Sequence, residues 1–211
     1  MRKIWRNKEK AVILDLKQVP IYMAIPKTAQ KYTFEEYLEI DEKSELRNEY
    51  CYGKIYGFKG CNANHNRINL NLVMSLDNLH PKYETFCIEI LTKIVSENVY
   101  YYPDVVVCFD EVRLGNEKIV HFPMLVAEIL SEESSYRDCH EKLKNYLQNE
   151  FIQYYMVVSQ TQVGIILYEK IGATCQVSIF SKITDIITLD KLAISIAVKD
   201  LYEDVFWEVN D

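Results

Sequence analysis

The sequence contains few residues that break regular structure, with only 6 glycines and 5 prolines among 211 residues. It has no linker rich in glycine, proline or serine, so short connections between helices and strands are expected. No uninterrupted apolar run approaches the roughly 18 residues that a membrane-spanning helix needs, which argues against a membrane partner. The basic start, Met1 to Arg6, is followed by the charged Lys8-Glu9-Lys10, where a secretory signal has its apolar segment. We therefore expect a cytoplasmic location.

The chain also lacks paired cysteines and an excess of positive charge. Its six cysteines include no C-x-x-C pair, which favours reduced core thiols over a disulfide framework or a zinc site. The formal net charge of −7 argues mildly against a protein that binds a polyanion, because neutralisation of phosphates drives DNA binding. It does not exclude such a protein, since carboxylates that bind a catalytic cation count as negative and a basic groove can lie within an acidic total.

The patterns that are present indicate an α/β (α+β) domain. The length and the 49% hydrophobic content are ordinary for one globular domain. Residues 1–30 are the least patterned and are expected to form an N-terminal extension, with residues 31–211 as a single domain. The T-x-x-E form of a capping box, Thr33 to Glu36, predicts a helix over residues 33–42, and the spacing of apolar residues predicts helices over residues 64–79 and 137–148. Strands are predicted within residues 48–58, 85–95, 102–109, 124–130, 153–158, 163–169 and 174–180.

Two acidic residues lie in or beside apolar runs that are predicted to be buried strands, where charged residues are uncommon. Asp104 directly precedes Val105-Val106-Val107, and Glu128 lies between Ala127 and Ile129 in a nearly continuous apolar run. A buried carboxylate is costly unless it is paired, hydrogen-bonded or bound to metal. Two of them on neighbouring central strands predict a site for a hard cation such as Mg²⁺. The alternatives are that Asp104 caps a turn and that Glu128 pairs with a buried arginine or lysine.

A lysine on the following predicted helix is a candidate for the same site. Lys142 lies four residues after Asp138 and four before Tyr146, so the three share one helix face. An ammonium group beside the two carboxylates would polarise an attacking water or a scissile phosphate. The alternative is a solvated lysine paired with Asp138. Tyr146 is most simply interpreted as packing the helix on the sheet.

Several stretches between residues 33 and 205 occur in an order and spacing typical of a known family. They are Tyr32-Thr33-Phe34-Glu35-Glu36, Glu45-Leu46-Arg47-Asn48-Glu49-Tyr50, His65-Asn66-Arg67-Ile68, Tyr102-Pro103-Asp104-Val105, Glu128-Ile129-Leu130-Ser131, Asp138 with Lys142 and Tyr146, Val157-Val158-Ser159-Gln160 and Leu201-Tyr202-Glu203-Asp204. In these stretches the chain resembles the Uma2 (DUF820) family of restriction-endonuclease-like proteins, within the PD-(D/E)XK nuclease superfamily. The resemblance implies a mixed central sheet flanked by helices.

The resemblance also implies roles for individual residues. Asp104 matches the acid of the PD motif and Glu128 the acid of (D/E)XK, so both are expected to bind the metal, with the Ile129 carbonyl as a further ligand. The place of the motif lysine, two residues after Glu128, is taken by Leu130. Lys142 then matches a lysine that has moved to the following helix.

Two more residues are candidates for the site through the resemblance. Glu49 matches an acid that precedes the core in such nucleases and would complete the metal site or orient a water. The equal alternative is a surface glutamate paired with Arg47 or Lys54. His65 opens a predicted helix and could lie near the metal or a phosphate, but a hydrogen-bonded helix-entry histidine is the favoured interpretation.

The function that the resemblance implies is a Mg²⁺-dependent DNA endonuclease, with Mn²⁺ as a possible substitute. Its expected catalytic residues are Asp104, Glu128, Lys142 and Glu49, and a homodimer is expected because nucleases that cut both strands commonly pair. The alternative is a catalytically idle module that binds nucleic acid or a protein partner, suggested by the acidic charge and by Leu130. A third hypothesis is an RNA or small-molecule substrate, since a fold does not fix a function.

Overall fold

The computed structural model describes residues 12–15, 30–57, 61–76, 83–87, 90–95, 98–109, 118–130 and 141–207. Its strands, numbered in chain order, are β1 (Val12–Asp15), β2 (Asn48–Cys51), β3 (Lys54–Gly57), β4 (Tyr83–Cys87), β5 (Leu91–Val95), β6 (Val99–Tyr101), β7 (Val105–Phe109), β8 (Ile119–Val120), β9 (Pro123–Leu130), β10 (Tyr154–Ser159), β11 (Ile165–Ile171), β12 (Thr174–Phe180), β13 (Ile186–Leu189) and β14 (Ile194–Ala197). Its α-helices are α1 (Phe34–Lys43), α2 (Ala63–Leu76), α3 (Leu143–Gln148) and α4 (Val198–Leu201). Among these described residues, no helix is both long enough and apolar enough to cross a bilayer.

The central sheet has seven strands in the order β1-β12-β11-β10-β9-β7-β4. Its β9 and β10 run parallel, whereas the other neighbouring pairs are antiparallel. The predicted mixed sheet is therefore confirmed. Its outermost strand β1 comes from the first 30 residues, which thus contribute a strand to this sheet.

Helices cover the two faces of the central sheet. Because successive strand residues point to opposite faces, Val105 and Ala127 belong to one face, and Val106 and Val126 to the other. Helix α2 packs on the first face, in a core cluster that also contains Leu125. Helix α3 packs on the second face through Tyr146. The central sheet therefore lies between α2 and α3.

A second sheet of five strands, in the order β3-β2-β6-β5-β8, positions Glu49 on β2. Strands β2 and β3 form a hairpin in which Cys51 pairs with Lys54. Both residues of its two-residue turn have positive φ, 49° at Tyr52 and 85° at Gly53. That combination is typical of a type I′ turn, whose twist matches the flanking strands and for which glycine is well suited. The strands predicted within residues 48–58 are thus β2 and β3, which meet at this turn.

Helix α1 begins where the sequence predicts it. The Thr33 hydroxyl accepts a hydrogen bond from the Glu36 N–H at 3.2 Å, and the Glu36 carboxylate accepts one from the Thr33 N–H at 2.7 Å. This reciprocal capping box satisfies two N–H groups that a helix start otherwise leaves without partners. The helix then places Asp41 and Tyr37 against β2, so it supports the strand that holds Glu49.

The single strand predicted over residues 85–95 is wrong. The chain forms β4 up to Cys87 in the central sheet and re-enters regular structure as β5, from Leu91, in the five-stranded sheet. Likewise, the strand predicted from Tyr102 begins only at Val105. Pro103 has no N–H to donate to a ladder, and Asp104 lies in a bend. Local alternation of side chains does not reveal which sheet a strand joins.

The helix predicted over residues 137–148 is confirmed for its described part only. Residues 141 and 142 form a wide, π-type turn that leads into α3, and residues 137–140, including Asp138, lie outside the described residues. Strands β1, β6, β8, β13 and β14 were not predicted, because each has four residues or fewer and their alternation is too brief to distinguish from loops.

Candidate active site

Asp104 and Glu128 approach each other at the end of the central sheet. Strands β7 and β9 pair with Val105 opposite Ala127, so Asp104 and Glu128 are the next residues in that register. The Asp104 Oδ2 accepts a hydrogen bond of 2.6 Å from the backbone N–H of Ile129. Standard backbone dimensions then place this oxygen within roughly 5 Å of the Glu128 Cα. The turn-capping alternative for Asp104 is wrong, because the side chain bonds to the neighbouring strand.

The second oxygen of Asp104 faces helix α2. His65 lies in the first turn of that helix, where its N–H donates to the Asn62 side chain at 2.9 Å. The His65 Nε2 is 3.0 Å from the Asp104 Oδ1, and both side chains are buried. His65 is therefore a hydrogen-bonded histidine at a helix entry, as favoured from the sequence, and its partner is a candidate metal ligand.

Glu128 and Glu49 share one buried lysine. The Lys142 Nζ lies 2.9 Å from the Oε1 of each carboxylate. The three side chains are 4–5% exposed. Glu49 also accepts the Tyr102 N–H at 3.2 Å. This group joins the central sheet, the five-stranded sheet and α3 at one point.

These contacts decide the alternatives for three predicted residues. A solvated Lys142 and a surface Glu49 are both wrong, since the side chains are buried and bonded to each other. Glu128 pairs with a buried lysine, as one alternative from the sequence had it, and that lysine is Lys142. Of the two carboxylates that the sequence analysis set beside Lys142, Glu128 lies 2.9 Å from its ammonium.

Two tyrosines belong to this cluster, although the sequence indicated only a packing role for one and none for the other. The Tyr146 hydroxyl donates to the Glu128 Oε1 at 2.5 Å, and the Lys142 ammonium lies 5.3 Å from the centre of the Tyr101 ring. The Tyr101 hydroxyl in turn accepts a hydrogen bond of 2.6 Å from the Asn145 amide. The spacing of four between Lys142 and Tyr146 is the sequence signal that could have identified Tyr146.

The environment keeps both tyrosine hydroxyls protonated. Burial, and then the charge of Glu128, raises the pKa of Tyr146 well above its usual value of 10. Burial, and then the neighbouring Cys51, raises the pKa of Tyr101 in the same direction. Tyr146 therefore acts as a hydrogen-bond donor that orients Glu128, and not as a base.

The raised pKa values predict a loss of stability in alkali. Tyrosines in the unfolded chain ionise near pH 10, whereas Tyr101 and Tyr146 stay protonated in the folded state. Their contribution to stability is complete below pH 10 and falls above it, approaching about 1.4 kcal/mol per pH unit for each tyrosine. Urea unfolding at pH 8, 10 and 11 measures the decline, which should be shallower in Tyr146→Phe. Equal slopes for the variant and the wild type would contradict the assignment.

The donor groups suit a hard divalent cation. In a β-strand, the N–H and the C=O of one residue point to the same side. Because the Ile129 N–H donates to Asp104, the Ile129 carbonyl also faces the side of Asp104. With Asp104 and Glu128 it forms a set of oxygen donors of the kind that Mg²⁺ and Mn²⁺ prefer. Within the described part of the chain, no three His, Cys, Asp or Glu side chains already converge as a metal cage. One Glu128 oxygen is instead bonded to Lys142 and Tyr146.

The fold and its relatives define the class of protein. The chain aligns with the crystal structure of a "putative nuclease belonging to DUF820" from Anabaena variabilis at a TM-score of 0.70 and 19% identity, covering 83% of this chain and 99% of that one. The two therefore share a nuclease-like mixed α+β fold. Residues 34–199 match the model of the Uma2 family, which is described as "Putative restriction endonuclease".

Two proteins of Synechocystis sp. are similar in sequence over most of their length. Uncharacterized protein sll1609 is 30% identical over 154 residues, which cover 71% of this chain and 87% of that protein. Uncharacterized protein slr1290 is 30% identical over 174 residues, which cover 82% and 92% of the two chains. The chain belongs to the Uma2 family, as its sequence predicted.

Proposed function

We propose that the protein is an endonuclease that hydrolyses phosphodiester bonds of DNA with the aid of a divalent cation, Mg²⁺ or Mn²⁺. The observation that supports this best is the buried cluster of Glu49, Glu128 and Lys142 beside Asp104 at the end of the central sheet. Three acids and one lysine buried at one point are expensive for stability alone. Such clusters are typical of sites where charge is needed for chemistry.

Asp104, Glu128 and the Ile129 carbonyl would hold the cation, which supplies a polarised phosphate and a bound water of lowered pKa. The chain itself positions these donors. The Ile129 N–H fixes one oxygen of Asp104, and the Tyr146 hydroxyl fixes one oxygen of Glu128. Donors whose orientation is fixed before the substrate binds need not reorganise during the reaction.

Lys142 has the geometry of a charge-stabilising group. Its ammonium lies 2.9 Å from the Glu49 carboxylate and 5.3 Å from the centre of the Tyr101 ring. An ammonium has three donors, so it can keep the bond to Glu49 while it donates to a water or to a phosphate oxygen. We assign to Lys142 the stabilisation of the charge that develops on the phosphate, and to Glu49 the positioning of Lys142.

The direct test is cleavage of supercoiled plasmid by the purified protein with Mg²⁺ or Mn²⁺, and with a chelator. Asp104→Asn purified in the same way excludes a contaminating nuclease. Parallel reactions with single-stranded DNA, RNA and a small phosphodiester identify the substrate class. Nicking that requires the cation and Asp104 is the expected result. A folded protein that binds the cation and cuts none of these substrates would overturn the proposal.

One observation favours a second candidate, a nuclease-fold module without turnover. The Lys142 ammonium already bonds to Glu128, so this carboxylate has a counter-charge without a cation. Such a module would bind DNA or a protein partner with an affinity that does not change in Asp104→Asn. Plasmid cleavage with Mg²⁺ or Mn²⁺, run beside mobility shifts of the two proteins, distinguishes the candidates. The endonuclease loses cleavage in Asp104→Asn, whereas the idle module cleaves in neither form and binds equally well in both.

A further inference from the structure

An exposed arginine lies where the five-stranded sheet meets the candidate site. Strands β2 and β6 are antiparallel, with Tyr50 opposite Tyr100, so the continuation of this register places Arg47 opposite Pro103. Pro103 directly precedes Asp104 in the chain. Arg47 is exposed, in contrast to the buried acids and the lysine of the site. A positive charge at the protein surface therefore lies beside the buried cluster.

The ring of Tyr102 holds the guanidinium of Arg47. The Arg47 Cζ lies 5.9 Å from the centre of this ring, within the range of a cation–π interaction. The ring is itself fixed, because the Tyr102 hydroxyl donates to the buried Asp41 at 2.7 Å and the Tyr102 N–H donates to Glu49 at 3.2 Å. Tyr102 precedes Asp104 by two residues, which span at most about 7 Å of chain. The contact with the ring therefore holds the guanidinium near the site.

The chemistry of this arginine suits a phosphate. The five N–H donors of a guanidinium lie in its plane, so they point sideways when a face contacts a ring, in a fork that matches two phosphate oxygens. The site beside it carries an excess of negative charge, with Asp104, Glu128 and Glu49 against Lys142. Neutralisation of phosphates drives DNA binding, so the backbone on either side of the reacting phosphate needs positive charge from the protein surface.

We propose that Arg47 binds a phosphate of the DNA backbone that flanks the scissile phosphate. This proposal rests on the proposed function, because it adds a contact to the same substrate. Lys142 is buried between two carboxylates and serves the reacting phosphate, whereas Arg47 is exposed and serves its neighbour. A phosphate contact carries no sequence information, so Arg47 positions the strand on the site and adds affinity for every DNA sequence alike.

The test measures the binding of two fluorescein-labelled DNA duplexes of unrelated sequence to the full-length protein by fluorescence anisotropy. Ca²⁺, a hard cation with oxygen ligands, replaces Mg²⁺ in the buffer, and gels check that the duplexes stay intact. Arg47→Gln removes the charge, and Arg47→Lys keeps the charge without the planar fork. Lys199→Gln is the matched control, because it changes the net charge by the same amount at a side chain of α4 that is 71% exposed. Circular dichroism checks that each variant is folded.

We expect Arg47→Gln to bind both duplexes about fivefold to tenfold more weakly at about 0.1 M salt. The slope of log affinity against log salt should fall in magnitude by about 0.9, the value for one lost phosphate contact. Arg47→Lys should keep the wild-type slope at a reduced affinity, and Lys199→Gln should bind as the wild type does. In cleavage with Mg²⁺, Arg47→Gln should raise KM by a similar factor and leave kcat within about twofold.

Three results would overturn this inference and leave the nuclease proposal intact: a wild-type slope in Arg47→Gln, a loss confined to one of the two sequences, or an equal change in Lys199→Gln. A wild type that binds DNA with the Arg47-dependent slope and cleaves none would support the contact and overturn only the nuclease proposal. A folded wild type that neither binds nor cleaves DNA would overturn both.

Discussion

We expect Asp104→Asn to lower the initial rate of metal-dependent plasmid cleavage by about 10³-fold or more, which corresponds to about 4 kcal/mol of transition-state stabilisation. The substitution removes the negative charge that would hold the cation, and with it the polarisation of the phosphate and of the attacking water. It changes little else, because asparagine has nearly the shape of aspartate. Its amide oxygen can still accept the Ile129 N–H that Asp104 accepts at 2.6 Å. Initial rates at several Mg²⁺ and Mn²⁺ concentrations separate weaker binding of the cation from slower chemistry.

Asp185→Asn is the matched control for this prediction. Asp185 also accepts backbone N–H groups, those of Ser181 and Lys182 at 3.1 and 3.0 Å, but it lies before β13 and outside the site. The control should cleave within about threefold of the wild-type rate, as expected for a substitution away from the chemistry. If Asp104→Asn remains folded and also cleaves within that range, Asp104 is not a ligand of a catalytic cation.

Local signals in the sequence predicted the parts of the fold that depend on nearby residues. The capping box of Thr33 and Glu36 predicted the start of α1, and the apolar runs around Val106 and Val126 predicted β7 and β9. Which sheet a strand joins depends on distant partners. No glycine or proline lies between Cys87, where β4 ends in the central sheet, and Leu91, where β5 begins in the five-stranded sheet. The change of sheet therefore has no local signal in the sequence.

The candidate site was also predictable only in part, because some of its contacts join residues that are distant in the chain. Asp104 and Glu128 could be identified because a charge in an apolar run requires a partner, whereas Lys142 was identified through the resemblance to the Uma2 family. The sequence did not predict that Glu49 would be buried against Lys142, since the two are far apart in the chain and meet through the packing of two sheets. Leu130 stands where the family motif has lysine, and the ammonium of Lys142 reaches Glu128 from α3 instead.

The second large effect concerns stability. We expect Lys142→Met to lower the free energy of unfolding by about 3–5 kcal/mol in metal-free buffer at pH 7, because it leaves two buried carboxylates without their shared counter-charge. Both carboxylate oxygens lie 2.9 Å from the ammonium, and all three residues are buried, so solvent compensates little for the loss of the ammonium. Urea unfolding followed by circular dichroism measures the loss. Lys144→Met, two residues later on α3 and only partly buried, is the matched control and should change stability by less than about 1 kcal/mol.

The loss of stability in Lys142→Met should depend on the charges of Glu49 and Glu128. Glu49→Gln in the Lys142→Met background removes one of the unpaired charges and should recover part of the stability, so the two substitutions should not be additive. The same double variant remains inactive, since the ammonium that stabilises the developing charge is missing. Additive losses would mean that Glu49 and Lys142 do not interact, against their 2.9 Å contact.

Mn²⁺ should stabilise Lys142→Met more than it stabilises the wild type. In the wild type, a cation that binds Glu128 must compete with the Lys142 ammonium for the Oε1 atom, whereas in the variant that oxygen has lost its counter-charge. A cation at 100 times its dissociation constant contributes about 2.7 kcal/mol, which would offset most of the loss. Unfolding of both proteins with and without Mn²⁺ gives the difference. Equal stabilisation of the two would mean that the cation does not bind at Glu128.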